Sequence, residues 1–243
     1  MKSPASMGMN RTGIGTSPEQ FQELLTGLGE FPPVTTGDEE TLETSRAAYI
    51  RDADPIGTVP PPGTVKGVVK EGMQKLMGRN AEVFIDALGG RLAFERTGTR
   101  LYDAFIEKCE VRSEEAAILP LDRLRKFREE EAAHLEMVWD ALRQLGADPT
   151  CVTPLADVNG VASIGVMQLL ADPRTSIAQS LHAIHIAELV DNDGWQQLIK
   201  LALTLGQNAM AEQFRLAMAE EDQHLIVIRQ LVEQLTAAQA GAD

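Results

Sequence analysis

The chain is poor in cysteine, poor in basic residues and without a long apolar run, and each shortage narrows its identity. Two cysteines in 243 residues exclude a disulfide-built scaffold, and a reducing cytoplasm is the simplest compartment they fit. Lys and Arg total 22 against 36 Asp and Glu, a net charge of -14. A field of that sign repels phosphate, so neither nucleic acid nor an anionic membrane is an expected partner. No apolar run approaches the roughly 18 residues of a membrane span. The first residues hold one lysine and no apolar h-region, so no secretory signal is expected. What is present is ordinary for a globular protein: 44% hydrophobic and 24% charged residues, which rules out wholesale disorder. The length suffices to bury a core without staples. A soluble, acidic, cytoplasmic protein is expected.

Residues 1–64 read differently from the rest. Met1 to Thr16 is rich in Gly, Ser, Met and Thr without periodicity. Ser17-Pro18-Glu19 reads as an N-cap with Pro at N1, opening a short helix to about Leu28. An acidic stretch (Asp38, Glu39, Glu40, Glu43) and the breakers Asp54-Pro55 and Pro60-Pro61-Pro62-Gly63 follow, so this region is expected to be an irregular arm, partly extended or flexible. From Val65 to the end the pattern is helical and the fold class all-α. A short helix fits Val65 to Met77. Long helices are predicted over Ala81–Val111, Leu121–Leu145, about Arg174 to Leu205, and Asn208 to about Ala237, with Gly146 and Gly206 as stops. Between the second and third lies a segment of about 25 residues with a short apolar helix, Val161 to Leu170. It is long enough to travel back along a four-helix bundle and make its second and third helices parallel. Residues 65–243 are therefore expected to be one bundle with one long crossover.

Two of the chain's four histidines stand three residues after a glutamate: Glu131-Ala132-Ala133-His134 and Glu221-Asp222-Gln223-His224. That spacing puts carboxylate and imidazole side by side on one helical face. Each motif has a glutamate level with it on the preceding helix. Glu95 and Glu131 are equidistant from the predicted turn at Ser113; Glu188 and Glu221 have their midpoint between Thr204 and Leu205, beside the stop at Gly206. In antiparallel hairpins these residues face each other at mid-length. Their in-phase neighbours are apolar, such as Leu124, Phe127 and Val138 around Glu131 and Phe214 and Ile228 around Glu221. Four unpaired carboxylates in such a core cost several kcal/mol apiece, about the scale at which buried charges require compensation. Two divalent cations cancel four carboxylates, and two imidazoles complete a donor set of hard oxygen and borderline nitrogen suited to iron or manganese.

The pattern Glu95, Glu131 with His134, Glu188, Glu221 with His224 resembles the ferritin-like di-iron carboxylate superfamily, in which four helices carry Glu, Glu-x-x-His, Glu, Glu-x-x-His. The resemblance covers about Asn80 to Ala237, and the segments around Leu145-Gly-Ala-Asp-Pro-Thr150 and Asp172-Pro-Arg-Thr175 look like an uncharacterised bacterial branch. It implies a ferritin-like four-helix bundle in which Glu131 and Glu221 bridge two metal ions, Glu95 with His134 and Glu188 with His224 completing the two sites. It implies an oxidoreductase acting on dioxygen or peroxide, with iron, manganese or a mixed pair. No C-x-x-C pair is present, so the rubredoxin-type centre of one branch is missing and an external electron donor is expected. Ferritin-type iron oxidation and storage, or a bundle whose metals serve stability alone, are the alternatives. A homodimer is expected before a cage.

Around this set lie further candidates. His185, one turn before Glu188, is a candidate seventh ligand or a core histidine. Glu130 and Glu220 each precede a bridging glutamate; they are candidates to reach across to the other motif's imidazole and fix its tautomer, or belong to a solvated helix face in the charge run Arg128 to Glu131, and Asp191 and Asn192 are candidates for the same part. Tyr102, two turns after Glu95, is either a relay residue or a core tyrosine with a satisfied hydroxyl. Trp139 and Trp195 read as packing, and Cys109 and Cys151, at helix ends of opposite poles, as free thiols.

Overall fold

The structure, a computed structural model, describes residues 13–32, 38–63 and 81–241. The sequence-predicted helix Val65 to Met77 and most of the Met1 to Thr16 stretch lie outside them. Among the described residues every regular element is an α-helix. The chain divides between Pro55 and Ile56. The first unit holds α1 (Pro18–Glu30) and α2 (Glu39–Asp52). The acidic stretch expected to be irregular is thus a helix. Asp38 caps it, accepting from Thr41 N–H, and Glu39, Glu40 and a closing Arg51 suit the helix dipole. Neither α1 nor α2 buries a residue completely.

The second unit holds α3 (Ala81–Val111), α4 (Leu121–Leu145), α5 (Pro154–Ala171), α6 (Ile177–Thr204) and α7 (Asn208–Ala240). On α4 the buried residues Leu124, Phe127, Glu131, His134, Val138, Ala141 and Leu145 recur at three- and four-residue steps, which makes one continuous stripe. The helix stops at Gly146, whose φ of 85° is left-handed; Ala147 N–H reaches back to the carbonyl of Leu142, closing the last turn. Ser176 opens α6 through a reciprocal capping box with Gln179. That cap moves the start three residues past the predicted Arg174, which instead folds back onto Asp172.

Helix α5 begins seven residues before the predicted Val161, because Thr153 caps it and Pro154 takes the first turn. It crosses α3 at Gly89 and Gly90. A Cβ on Gly89 would stand 3.0 Å from Thr153 Cβ, and one on Gly90 3.0 Å from Leu155 Cβ, so the glycine pair is the space in which the crossover packs. Helix α5 is also long and apolar enough, by length and composition alone, to cross a membrane, with mean hydropathy 1.2. The sequence expectation missed this by counting unbroken runs, which Asp157 and Asn159 interrupt. In this structure α5 packs on α3 and α6.

Contacts between side chains give the helix directions. Tyr102 and Lys108 of α3 reach Glu188 and Ser180 of α6; Asp103 and Glu110 of α3 meet Arg128 and Arg125 of α4; Glu130 of α4 meets His224 of α7 and Glu220 meets His134. Each of these pairs of helices is antiparallel, so α4 and α6 run parallel, as the long crossover predicts. Two apolar clusters result. One gathers Leu101 to Cys109, Phe127, Leu181, Ile184 and Ile228; the other gathers Phe84 to Leu92, Val138, Trp195, Phe214 and Ala217. Every one of α3, α4, α6 and α7 passes from one cluster to the other through a short polar stretch. Within the same unit, Gly63 N–H donates to Gly146 C=O and Val59 packs on the second cluster.

Candidate metal centre

The polar stretch between the two clusters is where the sequence motifs meet. Glu95, Glu131, His134, Glu188, Asp191, Glu221 and His224 are all buried. Their ligand-capable atoms fall into overlapping groups: Glu95, His134 and Glu221; Glu131, Glu188, Glu221 and His224; and Glu95, Glu131, Asp191 and Glu221. The level placement inferred from the turns thus brings all six predicted ligands together.

Glu221 lies at the middle. Its Oε1 stands 2.8 Å from His134 Nδ1 and its Oε2 3.1 Å from His224 Nδ1. Glu95 Oε2 is 3.9 Å from His134 Nδ1, and Glu131 Oε1 and Glu188 Oε2 are each 3.8 Å from His224 Nδ1. The outer face of each imidazole is fixed. His134 Nε2 donates to Glu220 at 2.8 Å and His224 Nε2 donates to Glu130 at 2.9 Å. Because a carboxylate only accepts, Nε2 carries a proton, and a ring that gives up its other proton to a metal would turn the Nδ1 lone pair inward. The two links run in opposite senses between α4 and α7, each helix holding the other's histidine.

The terminal glutamates are held by one oxygen each. Tyr102 donates its hydroxyl to Glu188 Oε1, so the satisfied-tyrosine reading describes it. Arg91 donates Nε to Glu95 Oε1 and its other nitrogens to the Asp191 carboxylate and carbonyl. Of the ten buried side-chain atoms without a hydrogen-bond partner among the described residues, seven are in this cluster: Glu95 Oε2, Glu131 Oε2, Glu188 Oε2, both oxygens of Glu221, and Nδ1 of His134 and His224; the others are Ser17 Oγ, His185 Nε2 and Trp195 Nε1.

Electrostatics follows from this crowding. Burial, then the other carboxylates, holds Glu131 and Asp191 well above the usual carboxylate range and Glu188 up to about 8, while Glu95 is raised mainly by burial. Glu221 goes the other way: against its burial, contact with the two imidazoles brings it down to about 2. His224, against its own burial, is lifted to about 9 by Glu221, Glu188 and Glu130.

Arg91 and Gly98 had no sequence signal. Arg91 is a buried cation amid an apolar stretch, packed on the faces of Phe94 and Trp195. Gly98 faces the carboxylate of Glu131: a Cβ there would stand 2.8 Å from Glu131 Cδ and closer still to Oε2. Only the helix pairing reveals either part. His185 does not join the cluster; its ring lies against His182, with Arg229 and Glu233 as its charged surroundings. Asn192 faces outward and donates to Asp222. Cys109 is buried and Cys151 exposed, both free.

Comparison of the chain with protein-family models, with curated proteins and with solved structures finds no match. The geometry therefore carries the functional reading by itself.

Proposed function

We propose that the protein is a ferritin-like four-helix bundle, formed by α3, α4, α6 and α7, that holds two metal ions and carries out oxygen- or peroxide-dependent redox chemistry. The observation that carries the proposal is the set of orphaned buried atoms. Three carboxylate oxygens, of Glu95, Glu131 and Glu188, lack any hydrogen-bond partner in one buried cluster, and both oxygens of Glu221 and Nδ1 of His134 and His224 lack a well-aligned one and face only each other. Leaving each of them unmade costs about 1–3 kcal/mol or more, and cations are what satisfies acceptors without supplying protons. The charge agrees: Arg91 faces Asp191 and Glu95 together, and most of the glutamate charge is left for two divalent ions. Carboxylate oxygens with two imidazole nitrogens suit iron first and manganese next.

Glu221, which belongs to all three converging groups, and Glu131, the matching glutamate of the other Glu-x-x-His motif, would be shared by the two ions; Glu95 with His134 and Glu188 with His224 would complete the two sites. A bound iron pair supplies two electrons to dioxygen or peroxide. The chain's own part is positional. Tyr102 and Arg91 tie down one oxygen of Glu188 and Glu95, leaving the other to face inward. Glu130 and Glu220 hold the imidazole tautomers. The apolar clusters above and below exclude bulk water. An external electron donor and a cytoplasmic, homodimeric protein belong to the same proposal.

The test is metal content after purification without chelator, then an anaerobic ferrous titration with a timed oxygen pulse. Two irons per chain and a transient absorbing species are expected, and Glu131→Ala is expected to lose metal. Less than about half an equivalent of metal with no ferrous uptake, or two metals retained by Glu131→Ala, would overturn the assignment.

A further inference from the structure

A cavity of about 670 Å³ opens between α3, α5 and α6, on the side of α3 away from α4. A smaller hollow of about 100 Å³ continues it and shares Phe94, Asn159 and Val190. The size of the main cavity is that of an organic-ligand site. The walls are mostly apolar, with Asn159, Asp193 and Gln197 as polar members, and Leu155, Ile186, Leu189 and Val190 remain exposed along them. Exposed apolar side chains that line one groove mark a binding surface more often than a chance scatter does.

The floor connects this groove to the carboxylates. Arg91 lines the cavity on one side and pairs with Glu95 and Asp191 on the other. A single guanidinium thus separates the groove from a member of the metal cluster. The groove needs Gly194 for this, since a Cβ there would stand 2.6 Å from Arg91 Nη1.

Charge and shape then select the occupant. Arg91, the cation of the floor, is already matched by two carboxylates, which removes its pull on an anion, and Asp193 is exposed to solvent and accepts from Gln197, where water screens its pull on a cation. On α6 the lining runs from Ile186 to Leu201, which at 1.5 Å per residue is about 22 Å. We propose that this groove binds an uncharged, elongated, largely apolar organic molecule and lays it alongside Arg91 at the edge of the carboxylate cluster. That this molecule is what the centre oxidises rests on the di-metal reading; the binding itself does not.

The test uses the full chain and the neutral fluorophore Nile red, with 1-dodecanol, dodecanoate and dodecyltrimethylammonium as competitors below their micelle concentrations. One probe per chain is expected, displaced by dodecanol at a concentration at least tenfold lower than by either ion. Val190→Trp on α6 and Ala162→Trp on α5 fill the groove from opposite walls, and each is expected to weaken probe binding at least tenfold with unchanged helix content and metal content. Binding that both variants leave unchanged, no binding by the parent protein, or either dodecanoate or dodecyltrimethylammonium outcompeting dodecanol would overturn the proposal. Metal is counted on the same preparations. Two metals without probe binding refute the groove alone, and saturable probe binding lost in both variants, with metal below half an equivalent, supports the groove and refutes the di-metal centre.

Discussion

Replacing Gly98 by alanine separates the centre from the fold, because its two effects have opposite signs. In the interior of α3 the exchange of glycine for alanine favours the helix by about 1 kcal/mol. The new methyl, however, would lie 2.8 Å from Glu131 Cδ and closer to Oε2, so the carboxylate has to retreat by roughly 1 Å to restore ordinary contact. It has nowhere neutral to go, since Glu95, Asp191, Glu188 and Glu221 surround it. Overpacking of this kind costs about 1–3 kcal/mol, which leaves a net stability change of at most about 2 kcal/mol. Metal sites tolerate displacements of only about 0.2 Å in ligand distance. The expected result for Gly98→Ala is therefore a melting temperature within roughly 8 °C of the parent, a helix content unchanged by circular dichroism, and metal affinity at least tenfold lower by chelator competition. Full metal occupancy together with a raised melting temperature would refute the placement of Glu131 against this face of α3.

Arg91→Met leaves Asp191 and Glu95 buried without their cation and is expected to cost about 3–5 kcal/mol, read as a fall in melting temperature on the order of 10 °C; an unchanged value would show that the guanidinium is not the buried partner. Glu130→Ala and Glu220→Ala release opposite histidines, so each is expected to weaken one of two metals by about 10- to 100-fold, giving one tight and one weak step in a ferrous titration; equal loss of both would contradict the crossed pairing. In metal-stripped protein, Glu188 is raised to about 8 and His224 to about 9. The fold then binds more protons than the unfolded chain across the range from the carboxylate value to pH 9, and stability falls as pH rises through it. At the acid end Glu221, held at about 2, removes stability as pH falls below about 4.5. Melting curves of chelator-treated protein are thus expected to show lower stability at pH 9 than at pH 6, and a rise over that interval would contradict the charge arrangement.

How much of this was legible beforehand differs by element. The boundaries of α3 and α4 follow from uninterrupted stripes bounded by clear stops, Gly146 above all. The beginning of α5 was misread although Thr153-Pro154 is a cap signal, because apolar periodicity at Val161 to Leu170 outweighed it. The helix α2 was missed because it buries nothing, so its stability rests on capping and charge at its ends, which a search for apolar stripes cannot detect. His185 was a candidate by spacing alone. One turn along a helix sets the height of a side chain but leaves it far enough round the axis to face Arg229 rather than Glu188.

By itself the sequence determined the four long helices, their order and the heights at which Glu95, Glu131, Glu188 and Glu221 stand, since those depend on 3.6-residue periodicity and on distance from a turn. Only the tertiary structure decided which glutamate oxygens are left bare, that Glu130 and Glu220 take the crossed pairing of their two sequence readings, and that Arg91 and Gly98 shape the centre from α3. These depend on contacts between residues some 30 to 100 positions apart, where close packing and the need to match every buried charge select one arrangement that no local pattern encodes.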